Sequence, residues 1–377
     1  EETYMYYIVP SVILLHLGLN FFTTRFYIAE IKAAALSFKT EAKKIATYLL
    51  IIGVIASAIN SQYSGSLSFV LFLLELLIYV GVGYLLIIYP EKKYMIFILT
   101  FSIIFFISLV AGMFHNLLLI SIFLLMLVIS PRWNFLSKLV MILFGVTFMY
   151  VIQTVKKDYR SIVWSSKVND NPVNIFLDLV KKEFLVTESD YAFNRDGENE
   201  EAQINNRLNQ GWIISKIMNN VPNRTEFKDG KTINQALMAA LVPRFLNPDK
   251  AGSDQAIDNF KEITGIQLSR RTAMGLSLVG EFYANYGIVG GVFAMFIYGL
   301  FISMILRFFY LKFGNASPII GIWFVLFFFQ VVKAETDFIK ILNHLVKSII
   351  IYLVVAALFK NFLGLSIINS SSLSVSE

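Results

Sequence analysis

The feature that most constrains this chain is a succession of apolar runs, each long enough to cross a lipid bilayer and nearly free of charge. Residues 94–112 and 116–130 contain no Asp, Glu, Lys or Arg, and residues 66–89 contain only Glu75. A helix needs about 20 mostly apolar residues to traverse a hydrocarbon core about 30 Å thick. Because the runs are continuous and do not alternate with period two, they predict helices and not a barrel. With 56% hydrophobic and 15% charged residues and a mean hydropathy of +0.65, the chain is more apolar than a soluble domain tolerates. The expected fold is an all-α polytopic membrane protein with about nine visible transmembrane helices.

The runs place six spans at Tyr4–Phe22, Ile45–Asn60, Ser66–Tyr89, Tyr94–Gly112, Asn116–Ser130 and Phe135–Gln153. Three more follow a long polar stretch, at Leu276–Phe308, Ser317–Val332 and Leu345–Phe359. The fifth is short for a bilayer, and the seventh is longer than one needs and should project into water. This divides the chain into an N-terminal transmembrane bundle (1–153), a large external loop (154–275), a C-terminal set of spans (276–359) and a tail (360–377). The chain starts at Glu1 without Met or a basic leader, which leaves room for a missing N-terminal part, another span included.

Basic residues set the orientation. The first loop holds Arg25, Lys32, Lys39, Lys43 and Lys44, the third Lys92 and Lys93, and the fifth Arg132, whereas 61–65 and 113–115 hold neither Lys nor Arg. Basic loops stay in the cytoplasm, so 154–275 is expected outside and the tail after Lys360 inside. Lys333, Lys340 and Lys347 run against this pattern, because the same alternation puts residues 333–344 outside. The net charge of +6 is explained by the cytoplasmic loops and gives no reason to expect nucleic acid. No cysteine is present, which excludes disulfides and thiol chemistry.

The external segment carries helical signals. Asn171-Pro172 reads as an N-cap followed by proline at the first helical position, with Val173, Phe176, Leu177, Val180 and Phe184 on one apolar face. Further helical patterns run around 208–218 and 232–241. Such amphipathic pieces suit a cap across the mouth of a helix bundle.

Candidate functional residues are polar groups at membrane depth and charge clustered outside. Glu75 lies in the middle of the third span, where an ionisable group is a functional candidate and a structurally paired Glu is the competing reading. Gly81 and Gly83 follow it and would let a neighbouring helix approach. The external segment holds Arg160, Arg195, Arg207, Arg224, Arg244, Arg270 and Arg271. Arginine binds phosphate in a bidentate manner and keeps its charge when partly desolvated. Arg244 and Lys250 sit in a stretch stiffened by Pro243 and Pro248, and Arg270 and Arg271 precede the seventh span, where the helix dipole favours an anion. Within that span Glu281 and Asn285 lie one turn apart and share a face. A carboxylate there is placed to act as a general base or to orient an arginine. Glu335, Asp337, His344 and His115 are further polar groups expected on the external side, while His16 reads as structural. No phosphate loop, dinucleotide fingerprint, nucleophile elbow or zinc-protease motif occurs.

The stretch Pro243-Arg244 through Pro248-Asp249-Lys250, then Gly280-Glu281-Phe282-Tyr283-Ala284-Asn285-Tyr286-Gly287 and Val289-Gly290-Gly291, resembles the Wzy-type polymerases of bacterial oligosaccharide repeat units. Many spans with one large periplasmic loop in the C-terminal half are similar too. The resemblance implies a C-type glycosyltransferase architecture in the bacterial inner membrane. It also implies an undecaprenyl-diphosphate-linked oligosaccharide as both donor and acceptor, without metal or nucleotide cofactor. A flippase and a chain-length regulator would be its partners. On this resemblance Arg207, Arg244, Lys250, Arg270 and Arg271 are the diphosphate ligands, Glu281 is the base, and His115 and His344 are reserves. Family members carry an Arg at the external start of a span where this chain has Gly112-Met113-Phe114-His115-Asn116, so that role falls to His115 or is absent. Two rivals stand beside it: an O-antigen ligase-like enzyme, which shares the donor, and a secondary transporter, which would show repeats and helices broken at the midplane.

Overall fold

The computed structural model describes residues 2–22, 28–63, 65, 67–129, 134–164, 171–184, 211–242, 253–267, 274–311 and 318–367. Among them there is no strand. The helices are α1 (Glu2–Leu19), α2 (Ile28–Ser37), α3 (Lys39–Asn60), α4 (Ser68–Glu75), α5 (Leu77–Ile88), α6 (Lys93–Ala111), α7 (His115–Val128), α8 (Phe135–Val163), α9 (Pro172–Phe184), α10 (Gly211–Asn220), α11 (Lys231–Leu241), α12 (Ser253–Thr264), α13 (Leu278–Phe309) and α14 (Phe338–Leu363). Six stretches are long and apolar enough to cross a membrane: α3, the joined α4 and α5, α6, α8, α13 and α14. The protein is a helical multi-pass membrane protein.

The expectation of nine helical spans is corrected at three places. α1 contains Glu2, Pro10 and His16 and falls outside the six. α7 has 14 residues and covers only about 21 Å. The apolar run at 317–332 is not a continuous helix: it forms a 3-10 segment, Pro318–Trp323, a single helical turn, Phe324–Phe327, and then turns.

Two compact units make up the chain, residues 1–81 with 209–377, and residues 82–208. They cut across the linear segmentation because α1 packs along α13. A Cβ added to Gly18 would sit 2.5 Å from the Phe296 carbonyl oxygen, and one on Gly299 would sit 2.6 Å from that of Leu15. Small residues at a crossing let two backbones touch, the packing mode open to helices in lipid. The same device joins α3 to α5, where a Cβ on Gly81 would lie 3.0 Å from the Ala46 oxygen.

α13 is two rods. Gly287 has φ 67° and ψ −163°, a conformation that breaks the helix and that glycine alone adopts without strain. The Ala284 carbonyl beside the break accepts from the Lys228 amide at 2.9 Å, and the Phe227 ring would lie 3.4 Å from a Cβ at 287, ordinary contact, so the positive φ and not crowding calls for glycine. The first rod, 278–286, is held by α10, α11 and the loop between them. Tyr283 and Ala284 enter a core with Tyr7, Ile214, Ile217 and Phe260, while Leu278 and Phe282 enter another with Ala236, Met295, Phe338 and Leu342. The second rod, 288–309, covers about 33 Å, enough for a hydrocarbon core by itself.

The passage from α13 to α14 packs against both helices, with Phe327 on Phe309 and Phe338 on Tyr298. As it advances, its neighbours on α14 step backward: Trp323 and Phe327 pack on Tyr352, and the Leu326 oxygen meets His344 Nε2 at 2.7 Å. Phe338 then opens α14 beside the head of α13. The passage is irregular yet lies at membrane depth. That is permitted because Ile319, Ile320, Ile322, Trp323, Leu326 and Phe327 are buried in protein, where lipid does not reach the backbone. The start of α14 thus meets the first rod of α13 through Glu281 and the second through Tyr298, whose ring lies 6.3 Å from those of both Phe338 and Phe282.

The second unit is built on α6, α7, α8 and α9. Phe176 of α9 packs against Phe105, Phe114 and Tyr159. α9 starts at Pro172, and Asn171 Oδ1 accepts from the Val173 amide at 3.0 Å, as the Asn-Pro signal predicts.

Candidate functional site

The polar groups of the first unit converge where α13, α14 and α11 begin. Glu281 is 2% exposed, and its Oε2 accepts from the Phe338 amide at 2.7 Å. Asn285, one turn on, donates from Nδ2 to Thr232 Oγ1 at 2.8 Å and to the Glu281 carbonyl at 2.7 Å. The Thr232 hydroxyl also faces the Glu281 carboxylate. Asn285 Oδ1 is buried without a hydrogen-bond partner. A buried acceptor left in that state loses its hydration without return, which marks the position as one to explain.

Asp337 supplies the other half of the junction. Its Oδ1 accepts from the Leu276 amide at 2.6 Å, and Lys340 Nζ lies 2.7 Å from Oδ2. The strand of chain it holds is tightly threaded: a Cβ on Gly275 would fall 2.0 Å from the Glu335 carbonyl oxygen, so only glycine fits. Ser277 follows with φ 59° and ψ 152°, a region that side chains avoid, and caps α13 by accepting from the Gly280 amide at 3.2 Å. Strain of this kind costs about 1–3 kcal/mol and persists only where neighbours enforce it. Two buried carboxylates, an amide with an open acceptor and one ammonium thus meet where α13 and α14 begin.

Beside the junction, Lys333 lies over the Phe329 ring at 4.3 Å. Burial pushes its ammonium down to about 8, against the pull of Glu335 and with help from the positive Lys340. Among the described residues no group of three or more His, Asp or Glu side chains is gathered as a metal site would be.

Of the residues singled out by sequence, Glu281 and Asn285 are brought together here. His344 is fully buried, its Nε2 engaged by the Leu326 oxygen and its ring set among Phe69, Phe72 and Phe329. Glu75 ends α4 and faces Ser57 and Asn60 of α3. Arg160 and His115 belong to the second unit. Arg160 Nε donates to the Gly112 carbonyl at 2.7 Å and stacks on Trp164, which closes the C-terminus of α6; His115 opens α7. Arg195, Arg207, Arg244, Lys250, Arg270 and Arg271 lie outside the described residues. Sequence reasoning assigned no role to Thr232 and gave Asp337 no particular one. Asp337 was findable as the residue just before the first turn of a helix; nothing in the sequence signals Thr232.

No curated protein and no solved structure matches this chain. One family model matches it, over residues 5–367. That match spans almost the whole chain, from α1 through α14, and so takes in every residue of the junction. The chain belongs to the family described as Domain of unknown function (DUF8712).

Proposed function

We propose that the protein is a membrane glycosyltransferase that polymerises undecaprenyl-diphosphate-linked oligosaccharide repeat units at the external face of a bacterial inner membrane. The observation that carries this reading is the junction of Glu281, Asn285, Thr232, Asp337 and Lys340 at the head of α13, beneath the amphipathic helices α10, α11 and α12. Glu281 takes the proton of the acceptor hydroxyl. The freed oxygen forms the new bond to the anomeric carbon as its bond to the lipid diphosphate breaks, and the diphosphate leaves with that electron pair. Arg244, Lys250, Arg270 and Arg271, in the segments that flank α12 in sequence, neutralise the leaving group, with Arg207 from the stretch before α10. The segment 154–275 faces outward on this reading, the arrangement is of the C-type, and no metal or nucleotide takes part.

One observation favours a second reading, secondary transport: α13 is broken beside a buried carboxylate, as discontinuous transporter helices are. The rod before the break folds back on the rod after it, Phe282 packing on Tyr298 at 6.3 Å, so the carboxylate lies beside the 288–309 rod. Incubation of purified protein with a lipid-diphosphate-linked repeat unit in detergent and chelator separates the readings. A ladder of products supports the polymerase; a single transfer to a different acceptor means a ligase-like enzyme; uptake into vesicles without bond formation means a transporter.

A further inference from the structure

A cavity of about 700 Å³ lies between the start of α1 and α10, within the first unit, and none of the junction residues lines it. Its size is that of a ligand pocket, about 300–1,000 Å³. One wall is Tyr283 of the first α13 rod, and it is held firmly. The Tyr283 hydroxyl donates to the Val221 carbonyl at 3.3 Å, and the ring meets Tyr7 edge-on at 5.3 Å and Phe227 at 6.2 Å. Tyr7 is anchored in turn, donating to the Val279 carbonyl at 2.6 Å. Tyr4 and Trp212 also line the cavity, both half-buried against the core that holds Tyr283. Tyr283 comes two residues after Glu281, and with 3.6 residues per turn a step of two carries a side chain to the far side of a helix. The cavity therefore stands across the rod from the carboxylate.

The rest of the lining is polar and neutral. Thr3, Ser215 and Asn219 contribute to it, and of the described residues that line the cavity none is charged. Trp212, Ser215 and Asn219 recur at three and four residues along α10 and so share a face, while Ile213, Ile214 and Ile217 on the other face enter the core. The Asn219 backbone carbonyl accepts from Asn223 Nδ2 at 3.3 Å, but among the described residues its side-chain amide and the Ser215 hydroxyl make no hydrogen bond. An anion would find no cation among these groups, and a quaternary ammonium would find rings but no carboxylate. A lipid tail would strip water from three polar side chains and give nothing back. A sugar ring matches both kinds of wall. Its C–H groups carry slight positive charge and settle on the negative face of an aromatic ring, and its hydroxyls donate and accept as amide and hydroxyl side chains do.

We propose that this cavity binds one sugar unit of a neutral oligosaccharide, with Trp212 as its platform and Ser215 and Asn219 as its hydrogen-bonding partners. The class of ligand rests on the lining; that the sugar belongs to the glycan extended at Glu281 rests on the glycosyl-transfer reading. A sugar held across the rod from Glu281 is not the reacting one. It is a second grip, which retains a bound chain while its reacting end is exchanged.

The test is binding to the full chain in nanodiscs of phosphatidylethanolamine and phosphatidylglycerol. The probes are neutral hexasaccharides of glucose, galactose, mannose or N-acetylglucosamine, and, separately, hexagalacturonate and choline. Trp212→Ala removes the platform and Asn219→Ala one hydrogen-bonding partner, while Asn219→Asp sets a negative charge there; Lys216→Gln, exposed on α10 and outside the lining, is the control. A neutral hexasaccharide is expected to bind, about tenfold more weakly in Trp212→Ala and about fivefold in Asn219→Ala, with the control unchanged. Asn219 is exposed, so its variants carry the test even where Trp212→Ala, which touches the core, loses the fold. Failure of every neutral hexasaccharide to bind overturns the site, as does binding that Asn219→Ala leaves unchanged. Hexagalacturonate held as tightly as the neutral sugars overturns the neutral class. Choline that binds, and binds more tightly to Asn219→Asp, while no hexasaccharide does, makes the cavity a cation cage and overturns the saccharide. If wild-type protein makes polymer and no hexasaccharide binds, the cavity assignment falls and the enzyme stands; if a hexasaccharide binds with the expected losses and wild-type protein makes no polymer, the reverse holds.

Discussion

Glu281 separates structure from chemistry, because alanine and glutamine remove different things from it. Its Oε2 is the acceptor for the buried Phe338 amide at 2.7 Å. Glu281→Ala leaves that N–H without a partner, about 1–3 kcal/mol, and opens a void between α13 and α14, for a total of about 2–4 kcal/mol. Glu281→Gln keeps a carbonyl oxygen for the amide and removes a buried negative charge, so its effect on stability is about 1 kcal/mol or less in either direction. Neither variant retains a group able to take a proton. Thermal unfolding in detergent, followed by intrinsic tryptophan fluorescence, should therefore show Ala lowered by several degrees and Gln near wild type. Polymer chain length, read on gels from cells lacking the native gene, should show both inactive. An alanine variant as stable as wild type would refute the junction as a tie between the two helices. Wild-type chain lengths from the glutamine variant would refute Glu281 as the base.

Three further outcomes follow from the packing. Gly18→Ala and Gly299→Ala each force the α1 and α13 backbones apart and should destabilise the protein by about 1–3 kcal/mol, whereas Gly145→Ala, where a Cβ meets nothing within 4 Å, should be neutral or slightly stabilising; thermal unfolding of the three compares them directly. Arg160→Gln removes the guanidinium from the Gly112 carbonyl at the C-terminus of α6 and should lower protection of the 108–113 amides in hydrogen exchange by about tenfold, with the first unit unaffected. Lys333 should react with amine acylating reagents at a rate that rises through pH of about 8, where the neutral amine appears, while ordinary lysines wait for about 10.4. Lys340→Gln takes away a neighbouring positive charge and should move that midpoint upward; an unchanged midpoint would show that the two ammonium groups do not interact.

The sequence made the membrane class and the Glu281–Asn285 stripe legible, since both follow from local rules: continuous apolar runs and an i, i+4 spacing. The partners of the stripe were not legible, because Thr232 and Phe338 reach it across 53 and 57 residues of chain. Gly287 stands in the sequence only as one member of the motif with Gly290 and Gly291. Its positive φ depends on the Lys228 amide and Phe227 arriving from another segment, which no local pattern announces. The eighth apolar run failed differently: hydropathy carries helical form only where lipid enforces it, and most of 319–329 is buried in protein.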